Sequence, residues 1–159
     1  MSTEDELPHN AAVFRVLEVK PAFFPKGRPR RPLPDGFNLS SEDKRHAAAQ
    51  GVDPRLSVWD CARTTAAQAK GFRRRAGPID DDAILAYRLR VADILAAAEK
   101  HLPTKSVRVI RDPLEEPQAS MPGGDGHCGI VGTHRPPGQS GKPFSAFRLA
   151  LADACGEPE

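Results

Sequence analysis

Apolar and polar residues alternate in several short segments of the chain, and this alternation predicts β-strands. The first predicted strand is VFRVLEV (13–19), which is rich in β-branched and aromatic residues and carries Arg15. A second is AILAYRLRV (83–91), where Leu85, Tyr87 and Leu89 alternate with small or charged residues, so that one face is expected to be buried. Three further apolar segments predict short strands: RLSVWD (55–60), KSVRVIRD (105–112) and HCGIVG (127–132).

Helices are predicted between these strands from capping residues and from the spacing of apolar positions. A helix is expected over 40–51, with a serine as N-cap and Gly51 after its end. Thr65 and Gln68 have capping-box spacing, which predicts a second helix that ends at Gly71. The segment DILAAAEKH (93–101) follows the second predicted strand and is suited to continue as a helix.

The last predicted helix, over 143–155, has a clear apolar face. Phe144, Phe147, Leu151 and Ala154 recur at helical spacing, and Gly156 follows the helix. In total about five short strands and three or four short helices occur in mixed order. This order predicts the α+β class, with a single mixed or mostly antiparallel sheet covered by helices on one face.

The predicted domain organisation is one folded unit with one arm. Residues 1–11 are acidic, polar and aperiodic, which predicts a disordered N-terminus, and residues 12–159 are expected to form a single α+β domain. The chain contains 16 prolines, about twice the usual share of ~5%. Five of the 16 lie in a basic Pro/Arg-rich segment at about 20–38, which is expected to be a long loop.

Composition favours a cytoplasmic protein that does not enter a membrane. No apolar run approaches the ~20 residues that a membrane helix needs, and the first residues lack the apolar segment of a signal peptide. Three widely spaced cysteines do not form a disulfide framework. No cofactor is predicted, and no metal site is predicted, because the adjacent His127 and Cys128 point to opposite faces of a strand.

Charge is unevenly distributed although the net charge of the chain is only +2. Residues 13–75 contain 14 Lys/Arg and 6 Asp/Glu, which gives +8, whereas residues 1–12 and 76–159 each sum to −3. A basic segment of this kind can attract a polyanion or an acidic protein, or can form a solvated face balanced by acids elsewhere. The candidate binding residues are the dense arginines Arg28, Arg30, Arg31, Arg73, Arg74 and Arg75.

The glycine- and proline-rich segment before the last helix is not a nucleoside-triphosphate loop. Gly141 and Lys142 are followed by Pro143 where that motif needs Ser or Thr, and Pro136 stands where it needs glycine. A helix N-terminus attracts anions in its own right, so Lys142 is a candidate anion-binding residue. The structural alternative is an ordinary helix start with proline in its first turn.

His127 is the main catalytic candidate because it lies at the start of an apolar strand, directly after a glycine-rich turn. A histidine there can act as an acid or base near neutral pH, and Asp125 or Asp112 could orient its ring. The structural alternative is a histidine that hydrogen-bonds the loop backbone and holds the turn.

Arg15 and Ser57 add a resemblance to ADP-ribosyltransferase-like folds. Such folds place an arginine or histidine on an early strand, a serine or tyrosine on a middle strand and usually a late glutamate. Arg15 and Ser57 correspond to the first two, which makes them candidate catalytic residues with His127. No strand-borne glutamate follows, since Glu115 and Glu116 fall in a proline-rich segment.

About half of the chain also resembles a group of small prokaryotic α+β proteins, and this resemblance implies no particular activity. These proteins share an early strand followed by paired threonines, and later an Asp-Pro turn, a His-small-x-apolar-x-Gly strand and a final helix. The matching residues here are Leu56–Val58, Thr64–Thr65, Asp112–Pro113, His127, Ile130 and Gly132. The resemblance implies that His127 and the Asp112–Pro113 turn belong to one feature.

Two function hypotheses from different classes follow. The first is a non-enzymatic basic module that contacts nucleic acid or an acidic protein surface through the arginines. The alternative is an enzyme that acts on a nucleotide or phosphorylated group, either ADP-ribosyltransferase-like or RNA-directed, with His127 as acid/base and Arg15 and Lys142 as an anion clamp.

Overall fold

A computed structural model of the chain describes residues 6–18, 32, 37, 47–49, 51, 54–75, 84–102, 107–112, 114–133, 138, 140–156 and 158–159. The side chains of Glu18 and of 73–75 fall outside this description. Most of the predicted Pro/Arg loop at 20–38 and of the predicted helix over 40–51 also lies outside it, and residues 47–49 of that helix are helical.

Five strands and three longer helices form in the order β1, β2, α1, β3, α2, β4, β5, α3. The strands are β1 (Ala12–Glu18), β2 (Arg55–Asp60), β3 (Ile84–Arg90), β4 (Arg108–Arg111) and β5 (His127–Val131). The helices are α1 (Ala66–Arg75), α2 (Val91–His101) and α3 (Lys142–Ala154). Two single 3-10 turns, Gln118–Ser120 and Gly124–Gly126, connect β4 to β5.

The strands form one sheet in the order β3-β1-β2-β5-β4, and every neighbouring pair is antiparallel. The predicted single-domain α+β class, with an antiparallel sheet of five short strands, is therefore confirmed. β3 and β4 are the two edge strands of this sheet.

The two faces of the sheet are both covered, but by different helices. The first face carries Val13, Val58 and Ile130, and together with apolar residues of α2 and α3 it forms the main core. The second face carries Phe14, Trp59 and Ala86, against which α1 buries Ala69. We call this second side the α1 face. Helices thus lie on both faces of the sheet, whereas the sequence predicted helices on one face only.

Helix α1 begins with the predicted capping box but ends later than predicted. The Thr65 N–H donates to Gln68 Oε1 at 3.0 Å and the Gln68 N–H donates to Thr65 Oγ1 at 3.1 Å, so the predicted capping box forms. The helix does not end at Gly71 but continues to Arg75. A single glycine costs a helix only about 1 kcal/mol relative to alanine, which the packing of Phe72 on Trp59 can offset.

Residues 6–11 correct the prediction of a disordered segment over 1–11. Leu7 is 5% exposed within the main core, and its N–H donates to the Val109 carbonyl at 2.9 Å. Glu6 bridges to Ile110, so these residues add a short pairing to the outer edge of β4. One buried leucine and edge pairing order a segment whose composition alone is typical of disorder. Residues 1–5 lie outside the described part of the chain.

A compact contact between the turn after β2 and the turn before β5 holds the ends of these strands together. Thr64 is 1% exposed, and its hydroxyl donates to the Gly123 carbonyl at 2.6 Å. Gly126 lies so close to Thr64 that a β-carbon at position 126 would overlap the threonine hydroxyl oxygen. His127 directly follows Gly126, so this contact sets where the histidine enters the sheet.

Candidate active site

Ser57 and His127 lie on the same face of the sheet because of the register between β2 and β5. Trp59 pairs with His127, and Ser57 pairs with Gly129, which places the serine diagonally across from the histidine. Side chains at paired positions, and at positions two residues along, share one face. Ser57 and His127 are therefore neighbours on the α1 face.

The two side chains are hydrogen-bonded in a chemically defined way. Ser57 Oγ lies 2.6 Å from His127 Nε2, and His127 Nδ1 lies 2.8 Å from the main-chain oxygen of Asp112. Because a carbonyl oxygen can only accept, Nδ1 carries the ring proton. In the neutral form of the ring, this tautomer presents the Nε2 lone pair to Ser57, whose hydroxyl donates to it. This is the tautomer that a base needs in order to remove the serine proton.

Asp112 contacts the histidine through three of its groups. Its N–H donates to the His127 carbonyl at 3.0 Å, and its own carbonyl accepts from Nδ1. Its carboxylate Oδ2 lies 3.6 Å from Nδ1, just beyond hydrogen-bond distance. The group that orients the ring is thus the main-chain carbonyl of Asp112. The negatively charged carboxylate lies farther from Nδ1, at 3.6 Å against 2.8 Å for the carbonyl oxygen.

Arg55 holds the Asp112 carboxylate in place from the far side of β5. Its Nη1 donates to Asp112 Oδ1 at 2.7 Å, and both side chains are 30% exposed. The side chain crosses β5 at Gly129, where an added β-carbon would lie 2.9 Å from Arg55 Cβ. Because residue 129 is glycine and has no side chain, the Arg55 side chain can cross β5 here and reach Asp112.

Aromatic rings enclose the histidine on the side towards α1. The Trp59 ring makes an edge contact with His127, with centroids 4.9 Å apart and planes at 73°. Phe72 of α1 stacks on Trp59 at 4.5 Å. The side chain of His127 is only 13% exposed, so its ring is held by contacts on several sides. Such packing limits ring rotation and preserves the hydrogen bond to Ser57.

Arg15 reaches the serine through the main chain. The ladder between β1 and β2 comprises the pairs Val13–Asp60 and Phe14–Trp59, and further along the two strands Arg15 Nη1 donates to the Ser57 carbonyl at 2.9 Å. Because Arg15 is two residues from Val13, its side chain lies on the first face of the sheet. The side chains of Ser57 and His127 lie on the opposite face, so this hydrogen bond from Arg15 is to the Ser57 main chain. Of the three predicted catalytic residues, the structure thus brings only the Ser57 and His127 side chains together.

Other predicted site residues are not brought to this place. Lys142 begins α3, which packs on the face of the sheet opposite Ser57, so the predicted clamp of Arg15 and Lys142 around His127 does not form. Asp125, the other candidate for orienting His127, instead accepts from Arg63 Nη1 at 3.2 Å. Arg28, Arg30 and Arg31 lie outside the described residues, as do the side chains of Arg73, Arg74 and Arg75, so anionic-partner binding stays a prediction.

Two further properties of the described residues concern metal binding and membrane crossing. No group of three or more His, Cys, Asp or Glu side chains in the described part of the chain is arranged to hold a metal ion. None of the helices formed by these residues has the length and apolarity to cross a membrane.

The three cysteines are free thiols of low reactivity. Burial raises the pKa of Cys61 to about 11 and those of Cys128 and Cys155 to about 12. At about pH 8, a thiol with a pKa of ~11 holds roughly 200-fold less thiolate than a free cysteine of pKa ~8.5, and a thiol with a pKa of ~12 roughly 2,000-fold less.

We therefore expect each of the three thiols of the native protein to react with Ellman's reagent at least about 100-fold more slowly than in denaturant. The rates are followed by absorbance at constant pH, with the fully unfolded chain as reference. One thiol reacting within threefold of the unfolded rate would contradict the burial described here.

Two features of this site have weak signals in the sequence. Trp59 is two residues from Ser57 and pairs with His127, which requires the register of β2 and β5. Arg55 is one of 23 Lys/Arg residues, so nothing in the sequence singles it out. The one sequence signal is Gly129, because a glycine within an apolar strand indicates that another group passes close to the backbone there.

Comparison with known proteins finds no matching family model, no similar curated protein and no similar solved structure. The resemblances to ADP-ribosyltransferase-like folds and to the small prokaryotic group therefore stay predictions.

Proposed function

We propose that this protein is an enzyme in which Ser57 is the nucleophile and His127 its general base, and that it hydrolyses or transfers an acyl group. The observation that carries the proposal is the 2.6 Å hydrogen bond from Ser57 Oγ to His127 Nε2, in the tautomer fixed by the Asp112 carbonyl. A nucleophile, a base and a group that orients the base are the parts of an activated serine.

The reaction follows from these positions. Ser57 Oγ attacks the acyl carbon of an ester while its proton passes to His127 Nε2. The ester C–O bond then breaks, and the leaving alkoxide takes this proton, which leaves an acyl-serine. A water molecule next attacks the acyl carbon and gives a proton to Nε2. This proton returns to Ser57 Oγ as the serine leaves and the carboxylic acid forms.

Asp112 and Arg55 support the charged state of the ring. When His127 gains a proton, the Asp112 carboxylate 3.6 Å from Nδ1 stabilises the imidazolium through charge, and Arg55 keeps that carboxylate from moving away. This arrangement differs from a serine-protease triad, in which the carboxylate itself accepts from the ring. We expect the carboxylate to contribute less here than the main-chain carbonyl.

An acyl substrate fits the site better than the phosphorylated substrate predicted from the sequence. The Arg15 guanidinium donates to the Ser57 main chain from the opposite face, Arg55 is paired with Asp112, and Lys142 lies on a helix of that opposite face. These three cationic side chains thus do not converge beside Ser57 and His127 as a polyphosphate would need. Among the predicted roles, His127 as acid/base is retained and the anion clamp is set aside.

A fluorophosphonate probe tests the proposal. We expect one equivalent of probe to bond to Ser57: the Oγ–P bond forms, the P–F bond breaks and His127 accepts the proton as fluoride leaves. Peptide mass spectrometry locates the label, and Ser57→Ala is expected to abolish it.

Ser145→Ala is the matched control, because Ser145 is an exposed serine on the helix of the opposite face. Its labelling is expected to equal that of the native protein. Label spread over several serines, or equal labelling of Ser57→Ala, would refute an activated Ser57.

A further inference from the structure

The outer edge of β3 holds one residue from a distant part of the chain. The Glu159 N–H donates to the Ala86 carbonyl at 2.8 Å, as a neighbouring strand would. Arg88 donates from Nε and Nη2 to the two carboxylate oxygens of Glu159 at 2.9 and 3.1 Å. Lys70 Nζ donates to the Glu159 carbonyl at 3.0 Å. Main-chain and side-chain groups of one residue are thus all bound.

Arg88 and Lys70, the two groups that receive Glu159, are also placed by contacts other than those to Glu159. Arg88 pairs with Phe14 across β3 and β1, and its guanidinium lies over the phenylalanine ring at 5.1 Å from the centroid. Lys70 is held by α1, whose packing on the same face places it beside this edge. A planar guanidinium held against a ring is well suited to bind a carboxylate through two hydrogen bonds.

An edge strand offers main-chain groups to an extended partner. β3 pairs with β1 along its whole length on one side, and the Ala86 carbonyl lies on the other side. Extended peptides bind such edges by main-chain hydrogen bonds, while flanking side chains select their sequence. Here the flanking side chains are cations, so the favoured residue is a glutamate.

We propose that the outer edge of β3, with Arg88 and Lys70, is a binding site for an extended acidic peptide segment of a partner protein, and that Glu159 occupies this site in the free protein. The inference does not depend on the Ser57 chemistry. The hydrogen bonds from Arg88 lower the pKa of Glu159, as expected for a carboxylate bound in its charged form. A partner must displace Glu159, which competes at a high effective concentration because it is tethered.

The test uses full-length protein and a fluorescent peptide, acetyl-Gly-Glu-Pro-Glu, whose sequence copies residues 156–159. Glu159→Ala removes the carboxylate of the resident competitor and leaves the receiving groups intact. We expect the peptide to bind this variant about fivefold more tightly than the native protein, measured by fluorescence anisotropy.

A second pair of variants distinguishes peptide binding at this site from a general attraction of the acidic peptide to positive charge. Adding Arg88→Ala to Glu159→Ala is expected to remove the gain in affinity. Adding Arg90→Ala is expected to leave it unchanged, because Arg90 is bound to Asp93 on α2 and does not contact Glu159. Circular dichroism checks that each variant is folded.

Two results would overturn the proposal: equal affinity of the native protein and Glu159→Ala, or binding that Arg88→Ala and Arg90→Ala weaken equally. Serine labelling by the fluorophosphonate is expected to be the same in Glu159→Ala as in the native protein. A failure at this edge is therefore distinguishable from a failure of the proposed acyl chemistry.

Discussion

Replacing His127 by glutamine is expected to lower kcat for hydrolysis of an activated acyl ester such as p-nitrophenyl acetate by about 1,000-fold. Glutamine retains hydrogen-bonding groups near Ser57 and Asp112 but cannot accept a proton at neutral pH, so the serine loses its base. General acid–base catalysis by one side chain is worth roughly 100- to 10,000-fold. Because the ester still reaches Ser57, KM should change far less than kcat, and both come from the release of p-nitrophenol.

Two further variants make this result specific to the geometry. Asp112→Asn keeps the main-chain carbonyl that accepts from His127 Nδ1, so we expect a loss of only about tenfold, well below the ~10,000-fold seen where the carboxylate itself holds the ring. His101→Gln alters a partly exposed histidine at the end of α2 and should leave kcat unchanged. Native-like turnover in His127→Gln would show that the Ser57–His127 hydrogen bond is only structural.

Replacing Gly126 by alanine is expected to reduce the free energy of unfolding by about 3 kcal/mol. The new methyl group would overlap the hydroxyl oxygen of Thr64, which is buried and cannot move aside without losing its hydrogen bond to the Gly123 carbonyl. Overpacking costs roughly 1–3 kcal/mol, and an unpaired buried polar group costs a similar amount. Urea unfolding followed by circular dichroism measures the change.

Gly156→Ala is the matched control, since a β-carbon there meets nothing within 4 Å, and its free energy of unfolding should be close to that of the native protein. Because His127 follows Gly126 directly, fluorophosphonate labelling of Ser57 should fall in Gly126→Ala even where the variant is folded. Equal midpoints for the two alanine variants would mean that Thr64 and Gly126 are not packed as described.

Much of the fold follows from local patterns. The five apolar segments become the five strands, and the Thr65–Gln68 spacing becomes a capping box with both hydrogen bonds. These features depend on residues near one another in sequence, so a pattern can report them.

Long-range contacts account for the predictions that were wrong. The segment 6–11 is ordered because Leu7 finds a place in the core and an edge strand to pair with, and neither is visible in its own composition. The end of α1 moves past Gly71 because Phe72 stacks on Trp59. Ala154 is exposed although it continues the spacing of Phe144, Phe147 and Leu151, since the core does not extend to the last turn of α3.

The sequence by itself determined the strand segments, the α+β class and the residue types available for chemistry, because propensity, alternation and capping act over a few residues. Only the tertiary structure decided that Ser57 lies 2.6 Å from His127, that the Asp112 carbonyl orients the ring and that Glu159 occupies the edge of β3. These contacts join residues 70, 15 and 73 positions apart. Their distances depend on strand register and helix packing, which are set by the burial of the whole core and not by any one segment.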